Sequence, residues 1–261
     1  MPSGMVRARL PLPMSGERAR APLPMSQERT GGPHLMSVAP IKVLHPLSEQ
    51  ELAAALREAG LDPTSYGTGS AKSLSGLLAE IKHGECSLQR LGLGRVERLV
   101  EPVFVQLRWR GCVLVEIEQR FNDGRRRQRN MLLAEKRSAE DADASVTALR
   151  GMAEELELDL DLEAVQPLVR VDRDLYTCVT ERSESTSYPG LQCVYHSHHC
   201  VLHLSEAGEA HFQRCGLLQE IFETSEYDKV NVWQWMPLDI AKELKVKGFP
   251  APSTQGRRLV N

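Results

Sequence analysis

Two neighbouring glutamates, Glu154 and Glu155, lie near the end of a segment with helical periodicity. Carboxylate oxygens are the ligands that Mg²⁺ and Mn²⁺ prefer in proteins. An ion held in this way could neutralise a pyrophosphate group and activate water. The two glutamates are therefore the candidate catalytic and metal-binding residues. A solvated acidic helix face is the alternative explanation for the same pair.

A helix over about 142–156 must position these glutamates, because its apolar residues recur as a single stripe. Upstream, the β-rich runs at 103–109 and 113–117 are joined by Arg110-Gly111 and predict a hairpin. Further strands are predicted at 168–171, 176–179, 192–204 and 230–235, and a final helix follows Pro237. This order of elements predicts an α/β (α+β) fold with a mixed sheet.

The residues around the glutamates resemble a known family signature. Arg150-Gly151-Met152-Ala153-Glu154-Glu155-Leu156-Glu157-Leu158 is similar to the second half of the Nudix box, G-x5-E-x7-R-E-U-x-E-E-x-G-U, in which U is aliphatic. Leu133-Ala134-Glu135-Lys136 stands where the family usually shows Pro-Gly-Gly-Lys. Trp233-Gln234-Trp235-Met236-Pro237-Leu238-Asp239 is similar to the strand and turn that often end the domain. Counting back from Arg150 puts Ala142 where the box has its first glutamate, so one inserted residue or a different register is needed there, and Glu140 or Asp141 lies nearby. Gly151 stands where the box has the glutamate that follows its arginine.

The resemblance implies a Nudix-like α/β/α sandwich that hydrolyses nucleoside-diphosphate-linked substrates with Mg²⁺ or Mn²⁺. Glu154 and Glu155 would be the metal ligands, and a later loop would add a third carboxylate. Glu226 is the candidate for that third ligand, and Glu223 is its neighbour in the same segment. Because Gly151 lacks a carboxylate, the competing expectation is a catalytically inactive binding or assembly module with the same fold.

A basic run, which we interpret as a loop, follows the turn signal Asn122-Asp123-Gly124. Its residues Arg125, Arg127 and Arg129 could bind phosphate oxygens in pairs, which suits a nucleotide-type substrate. RNA is a further possible ligand, although a net charge of -3 gives no general electrostatic reason to expect it. Solvated loop charge is the alternative explanation.

Two other patterns point to different chemistry. His196, His198 and Cys200 invite a zinc hypothesis, but alternation along a strand turns His199 and Cys193 to the opposite face. Residues 67–73 resemble a phosphate-binding loop without the strand that should precede it. Neither pattern is strong enough to replace the carboxylate hypothesis.

The chain is predicted to contain a disordered or targeting N-terminus at 1–41, a helical segment at 42–98, a Nudix-like domain at 99–247 and a disordered tail at 248–261. Six cysteines without a CxxC pair indicate a reducing, intracellular compartment. The location is then the cytoplasm, or a mitochondrion or plastid if the Arg-, Ser- and Pro-containing N-terminus is a transit peptide. No apolar run approaches the roughly 20 residues of a membrane span. The oligomeric state is left open.

Overall fold

A computed structural model describes residues 42–226 and 229–250, without the side chains of Leu93 and Glu226. The predicted disordered or targeting segment at 1–41 lies outside these residues, and so do residues 251–261 of the predicted tail. The described residues belong to one compact unit.

Eleven strands within residues 42–226 and 229–250 form one mixed sheet, which is flanked by α-helices, so the predicted fold class is confirmed. The central path runs β1-β2-β3-β9-β4-β6-β5-β11-β10, and β7 and β8 also pair with β9. The strands are β1 Lys42–Leu44, β2 Ser87–Arg90, β3 Val96–Val100, β4 Pro102–Trp109, β5 Cys112–Phe121, β6 Arg126–Lys136, β7 Val169–Val171, β8 Thr177–Glu184, β9 Gln192–Leu204, β10 Ile221–Glu226 and β11 Lys229–Pro237. The helices are α1 Glu49–Glu58, α2 Leu74–Lys82, α3 Ala144–Glu155, α4 Leu162–Val165, α5 Glu206–Arg214 and α6 Leu238–Glu243.

Strand β9 joins the early and late parts of the sheet. It runs parallel to β3 and to β4, with Leu99 opposite Val194 and Val105 opposite Cys200. The other strand pairs are antiparallel. Strand β9 therefore lies between β3, which begins in the predicted helical segment, and β4, which belongs to the predicted Nudix-like domain.

Helix α3 packs on one face of the sheet. It begins after Asp143, whose side chain accepts hydrogen bonds from the backbone N–H groups of Ser145 and Val146. Met152 is fully buried in the main hydrophobic cluster, together with Leu133 of β6. Burying a side chain of this size stabilises a fold by about 1.5–3 kcal/mol, so the apolar stripe holds α3 against the sheet.

The segment 42–98, which the sequence predicts as helical, contains helices α1 and α2, and it also contributes β1, β2 and the first three residues of β3. The description of this segment as helical was therefore incomplete. The residues of Val96–Val100 alternate between buried and half-buried, which is a strand pattern. These strands are short, and β3 lies between the neighbouring β2 and the distant β9. The domain boundaries themselves remain predictions.

The interpretation of Arg125 to Arg129 as a loop was also wrong, since β6 begins at Arg126. Arg127 pairs with Gln119 of β5 in the hairpin. Cross-strand pairing can impose strand structure on residues with modest β-propensity, and it does so here. Helix α5 and strand β10 were not predicted at all.

Candidate functional site

The two predicted catalytic glutamates end helix α3 and have different neighbours. Glu154 is exposed, and its Oε2 lies 3.1 Å from Nη1 of Arg150, one turn earlier. Glu155 is half-buried, and its Oε2 accepts a hydrogen bond of 3.4 Å from Nδ2 of Asn231 in β11. The helix therefore presents one carboxylate at its open side and directs the other towards the sheet.

Gly151 faces strand β6. A Cβ atom added there would lie 2.7 Å from Cβ of Glu135 and 3.7 Å from Cδ2 of Leu133. Cβ atoms in proteins do not approach each other this closely, so a side chain at position 151 would require α3 or β6 to move. The side chain of Glu135 thus fills the space beside Gly151.

Arg150 joins the helix to the chain segment that follows β6. Its Nη2 lies 2.9 Å from Oδ2 of Asp141 and donates a second bond of 2.9 Å to the carbonyl of Lys136. Its Nη1 lies between two carboxylates, at 3.1 Å from Glu154 and 3.7 Å from Glu135. One guanidinium therefore links three acidic side chains around the same helix turn.

This network shifts the pKa values of its members. Burial alone would raise the pKa of Asp141, but hydrogen bonds from Arg150, from the backbone of Ser138 and from Thr147 outweigh burial and lower it. The hydrogen bond to Asp141 raises the pKa of Arg150. Burial raises the pKa of Glu135, although the backbone N–H of Lys136 and Arg150 act in the opposite direction. Asp141 is thus a stable anion, while Glu135 holds its proton more readily than a free glutamate.

A cavity of about 630 Å³ opens beside α3. Pockets of this size accommodate ligands of nucleotide dimensions. Basic and acidic side chains both line it. The charged or ionisable residues of the lining are His83, Glu85, Arg129, Glu135, Lys136, Arg137, Glu140, Asp141 and Arg150.

Only one of the three predicted phosphate-binding arginines reaches this cavity. Arg129 lines it, and its Nε donates a bond of 2.9 Å to Glu116. Arg125 binds Asp123 at 2.6 Å and lies in the turn at the far end of the hairpin. Arg127 is exposed on β6, closer to that turn than Arg129. A phosphate-binding role for Arg125 and Arg127 stays a prediction.

Glu116 and Glu135 were not among the predicted site residues. Glu116 is buried on β5, and its Oε1 has no hydrogen-bond partner within the described residues. The signal for Glu116 was present in the sequence, because it is the only acid within the apolar run at 113–117. A buried carboxylate oxygen without a partner is costly, and such groups call for an explanation such as a ligand or an ion.

The described residues contain no group of three or more His, Cys, Asp or Glu side chains arranged to hold a metal ion. The side chain of Glu226, the third predicted ligand, lies outside the described residues. Two histidines of the segment considered for zinc have other hydrogen-bond partners. Nδ1 of His198 shares a hydrogen bond of 2.7 Å with the hydroxyl of Tyr176, and Nδ1 of His199 donates one of 2.9 Å to the carbonyl of Gly248. Burial lowers the pKa of His199.

The sequence matches no protein-family model and no curated protein. Among solved structures, one described as the crystal structure of an ADP compounds hydrolase matches with 11% sequence identity and a TM-score of 0.28, over 64% of this chain and 76% of that chain. Values this low assign neither a family nor an activity. The structure itself defines a mixed α/β protein. None of the described helices is long and apolar enough to cross a membrane.

Proposed function

We propose that this chain is a Nudix-like hydrolase of nucleoside-diphosphate-linked substrates, which bind in the cavity beside α3. One observation carries the proposal: the two segments that resemble the Nudix box meet at this cavity. Arg150 of the second segment donates to the carbonyl of Lys136 in the first at 2.9 Å, and Gly151 packs against Glu135. Both Arg150 and Lys136 line the cavity.

The basic residues of the lining suit the phosphates of such a substrate. The arginine and lysine residues of the lining each have a carboxylate partner, and they are Arg129, Lys136, Arg137 and Arg150. A bound phosphate group would therefore have to replace the carboxylate as the partner of each basic side chain. Arginine can bind a phosphate through two parallel hydrogen bonds, which fixes its orientation.

Carboxylates are the ligands that a hard divalent cation prefers, and buried Glu116 has one oxygen, Oε1, without a partner among the described residues. Glu154 and Glu155 would hold Mg²⁺ or Mn²⁺, with Glu226 as the proposed third ligand. When bound, the ion would neutralise pyrophosphate charge and activate water. For Glu154 to serve, its carboxylate must leave Arg150, to which it is bound at 3.1 Å.

A binding or assembly module without turnover is the second candidate. The contacts of Arg150 favour it, since this one side chain engages Asp141, Glu154 and Glu135. In that case the acidic residues brace α3 against the sheet, and the cavity binds its ligand without cleaving it.

The test is a hydrolysis assay with Mg²⁺ and a panel of nucleotide sugars, dinucleotides, and nucleoside di- and triphosphates. We compare the wild-type protein with Glu155→Gln and with Glu163→Gln, an exposed glutamate of α4 that serves as the matched control. We expect Glu155→Gln to reduce turnover by about tenfold or more, as loss of a residue at a metal centre does. Turnover absent across the panel, or undiminished in Glu155→Gln, would refute the hydrolase and favour the binding module.

A further inference from the structure

A second cavity, of about 550 Å³, lies on the face of the sheet opposite α3. Phe104 of β4 and His199 of β9 line it, and they are paired on neighbouring strands. The next residues along these strands, Val105 and Cys200, point the other way, into the cluster that packs against α3. Within the described residues, the linings of the two cavities have only Pro102 in common. This cavity is therefore a separate candidate site.

The lining of this second cavity is acidic. Its described residues include two carboxylates, Glu181 and Glu184, and no lysine or arginine. The basic neighbour Arg182 lies 3.9 Å from Glu97 of β3 instead. Glu181 itself forms no ion pair within the described part of the chain. A cavity with this lining attracts positive charge, whereas the basic residues beside α3 suit a phosphate.

His199 supplies a hydrogen-bond acceptor. Only 5% of this residue is exposed, and its Nδ1 lies 2.9 Å from the carbonyl oxygen of Gly248. A carbonyl only accepts, so Nδ1 carries the hydrogen. Burial lowers the pKa of His199, which keeps the ring neutral at neutral pH and leaves Nε2 with a lone pair. Among the described residues Nε2 has no hydrogen-bond partner, so a donor on a ligand can bind it.

Ser197 adds a second polar group on the same face. It lies two residues before His199 on β9 and opposite Val179 of β8, between His199 and the cross-strand pair of Glu181 and Tyr195. Only 9% of Ser197 is exposed, and its hydroxyl forms no hydrogen bond within the described residues. Two buried polar side chains thus line the cavity with free acceptor atoms, and buried polar groups normally have a partner.

Aromatic rings form another part of the lining. The rings of Phe104 and His199 are nearly parallel, at an angle of 18° and with centroids 5.5 Å apart. Tyr195 and Phe249 also line the cavity. Aromatic faces attract cations, and a planar guanidinium can stack on a ring while its N–H groups remain free to donate. The lining therefore offers surfaces for a flat cation.

We propose that this cavity binds a small organic cation with a guanidinium or amidinium group. Its N–H groups donate to Nε2 of His199 and to the hydroxyl of Ser197, and its charge faces Glu181. A neutral molecule of the same shape would gain no charge attraction from the carboxylate. The proposal goes beyond the proposed function, because it assigns a ligand to the face of the sheet that the hydrolase does not use.

Binding of benzamidine tests this inference, with its neutral isostere benzamide as the matched control ligand. Isothermal titration calorimetry of the full chain, without metal ions or nucleotides, measures both. We expect benzamidine to bind with a dissociation constant of about 10 mM or below, as a ligand of this size does in a formed site. Benzamide should bind at least about tenfold more weakly, because it lacks the charge.

Three variants identify the site. Glu181→Gln should weaken benzamidine binding by about threefold or more. His199→Phe keeps a ring but removes the acceptor, and it should weaken binding by about fivefold. Glu163→Gln, on the exposed surface of α4, should leave binding unchanged. Circular dichroism verifies folding, and Glu181→Gln decides alone if His199→Phe does not fold.

The inference is overturned if the wild-type protein does not bind benzamidine, if benzamide binds equally well, or if Glu181→Gln has the affinity of the wild type. The result is independent of the proposed hydrolase, since the titration contains neither substrate nor Mg²⁺. Absence of hydrolysis therefore leaves the cation site in place, and absence of benzamidine binding leaves the hydrolase in place.

Discussion

Replacing Gly151 with alanine tests the packing of α3 against β6. Alanine normally stabilises a helix interior by about 1 kcal/mol relative to glycine. Here the new Cβ would lie 2.7 Å from Cβ of Glu135, an atom that the strand backbone holds in place. Relieving such overpacking costs about 1–3 kcal/mol. We therefore expect Gly151→Ala to lower the free energy of unfolding by up to about 2 kcal/mol. This value is the cost of overpacking minus the gain from the helix preference of alanine.

Urea unfolding followed by circular dichroism measures this change in the wild-type background and in the Glu135→Gly background. Once the Glu135 side chain is gone, alanine at position 151 has room, and its helix preference should make it neutral or stabilising. The double-mutant cycle should show a coupling free energy of about 1 kcal/mol or more, as expected for residues in contact. If Gly151→Ala stabilises the wild-type protein by about 1 kcal/mol, the two residues do not interlock as described.

Two further predictions concern buried charges. Asp141→Asn should cost about 1–3 kcal/mol at neutral pH, because it weakens the bonds to Arg150. Because the pKa of Asp141 is lowered in the folded state, its contribution to stability is present above the unfolded pKa of about 3.9. This contribution is lost as the pH falls through the folded pKa. The unfolding free energies of the wild type and of Asp141→Asn, measured in urea, should therefore converge in acid. Glu80→Gln should cost about 3 kcal/mol in the same assay, since Arg98 is left buried without its carboxylate partner at 2.5 Å. The control is Glu58, an exposed glutamate that pairs with Arg90 at 2.7 Å, and Glu58→Gln should change stability by less than about 1 kcal/mol. Equal effects at positions 80 and 58 would contradict the burial argument, and a pH-independent loss in Asp141→Asn would contradict the linkage.

Elements with local signals could be predicted from the sequence. Ser48 and Glu51 have the spacing of a capping box, which predicts a helix start, and the side chain of Ser48 caps α1 by accepting a hydrogen bond from the backbone N–H of Glu51. The i, i+4 spacing of Arg150 and Glu154 places them on one helix face, and they form an ion pair at 3.1 Å. The long strand β9 lies within the predicted boundaries 192–204. In each case the residues that determine the structure are within one or two helix turns or one strand.

Features that depend on distant partners could not be predicted in this way. The parallel pairing of Val96–Val100 with β9, almost one hundred residues later, is one example. The contact between Gly151 and Glu135 depends on the position along β6 at which α3 packs against the sheet. The spacing of residues within one segment does not determine that position. Periodicity identifies which face of a helix is buried, but it does not identify the strand residue that the face meets.

The end of α3 has residue types that helix ends usually avoid, and this bears on function. Glu157 has a φ of 52°, a left-handed conformation that costs a residue other than glycine about 1–2 kcal/mol. The N–H of Leu158 binds the carbonyl of Ala153, which completes a helix ending that usually has glycine at the position of Glu157. The Nudix box also has glycine there. Acidic residues at a helix C-terminus are disfavoured by typically 0.3–1 kcal/mol each. A bond of 2.9 Å from the backbone N–H of Ser225 to Glu157 offsets part of this cost. Folding alone does not require acidic residues at this end of the helix, whereas binding a cation does. A binding role for the end of α3 also predicts that backbone strain is concentrated there.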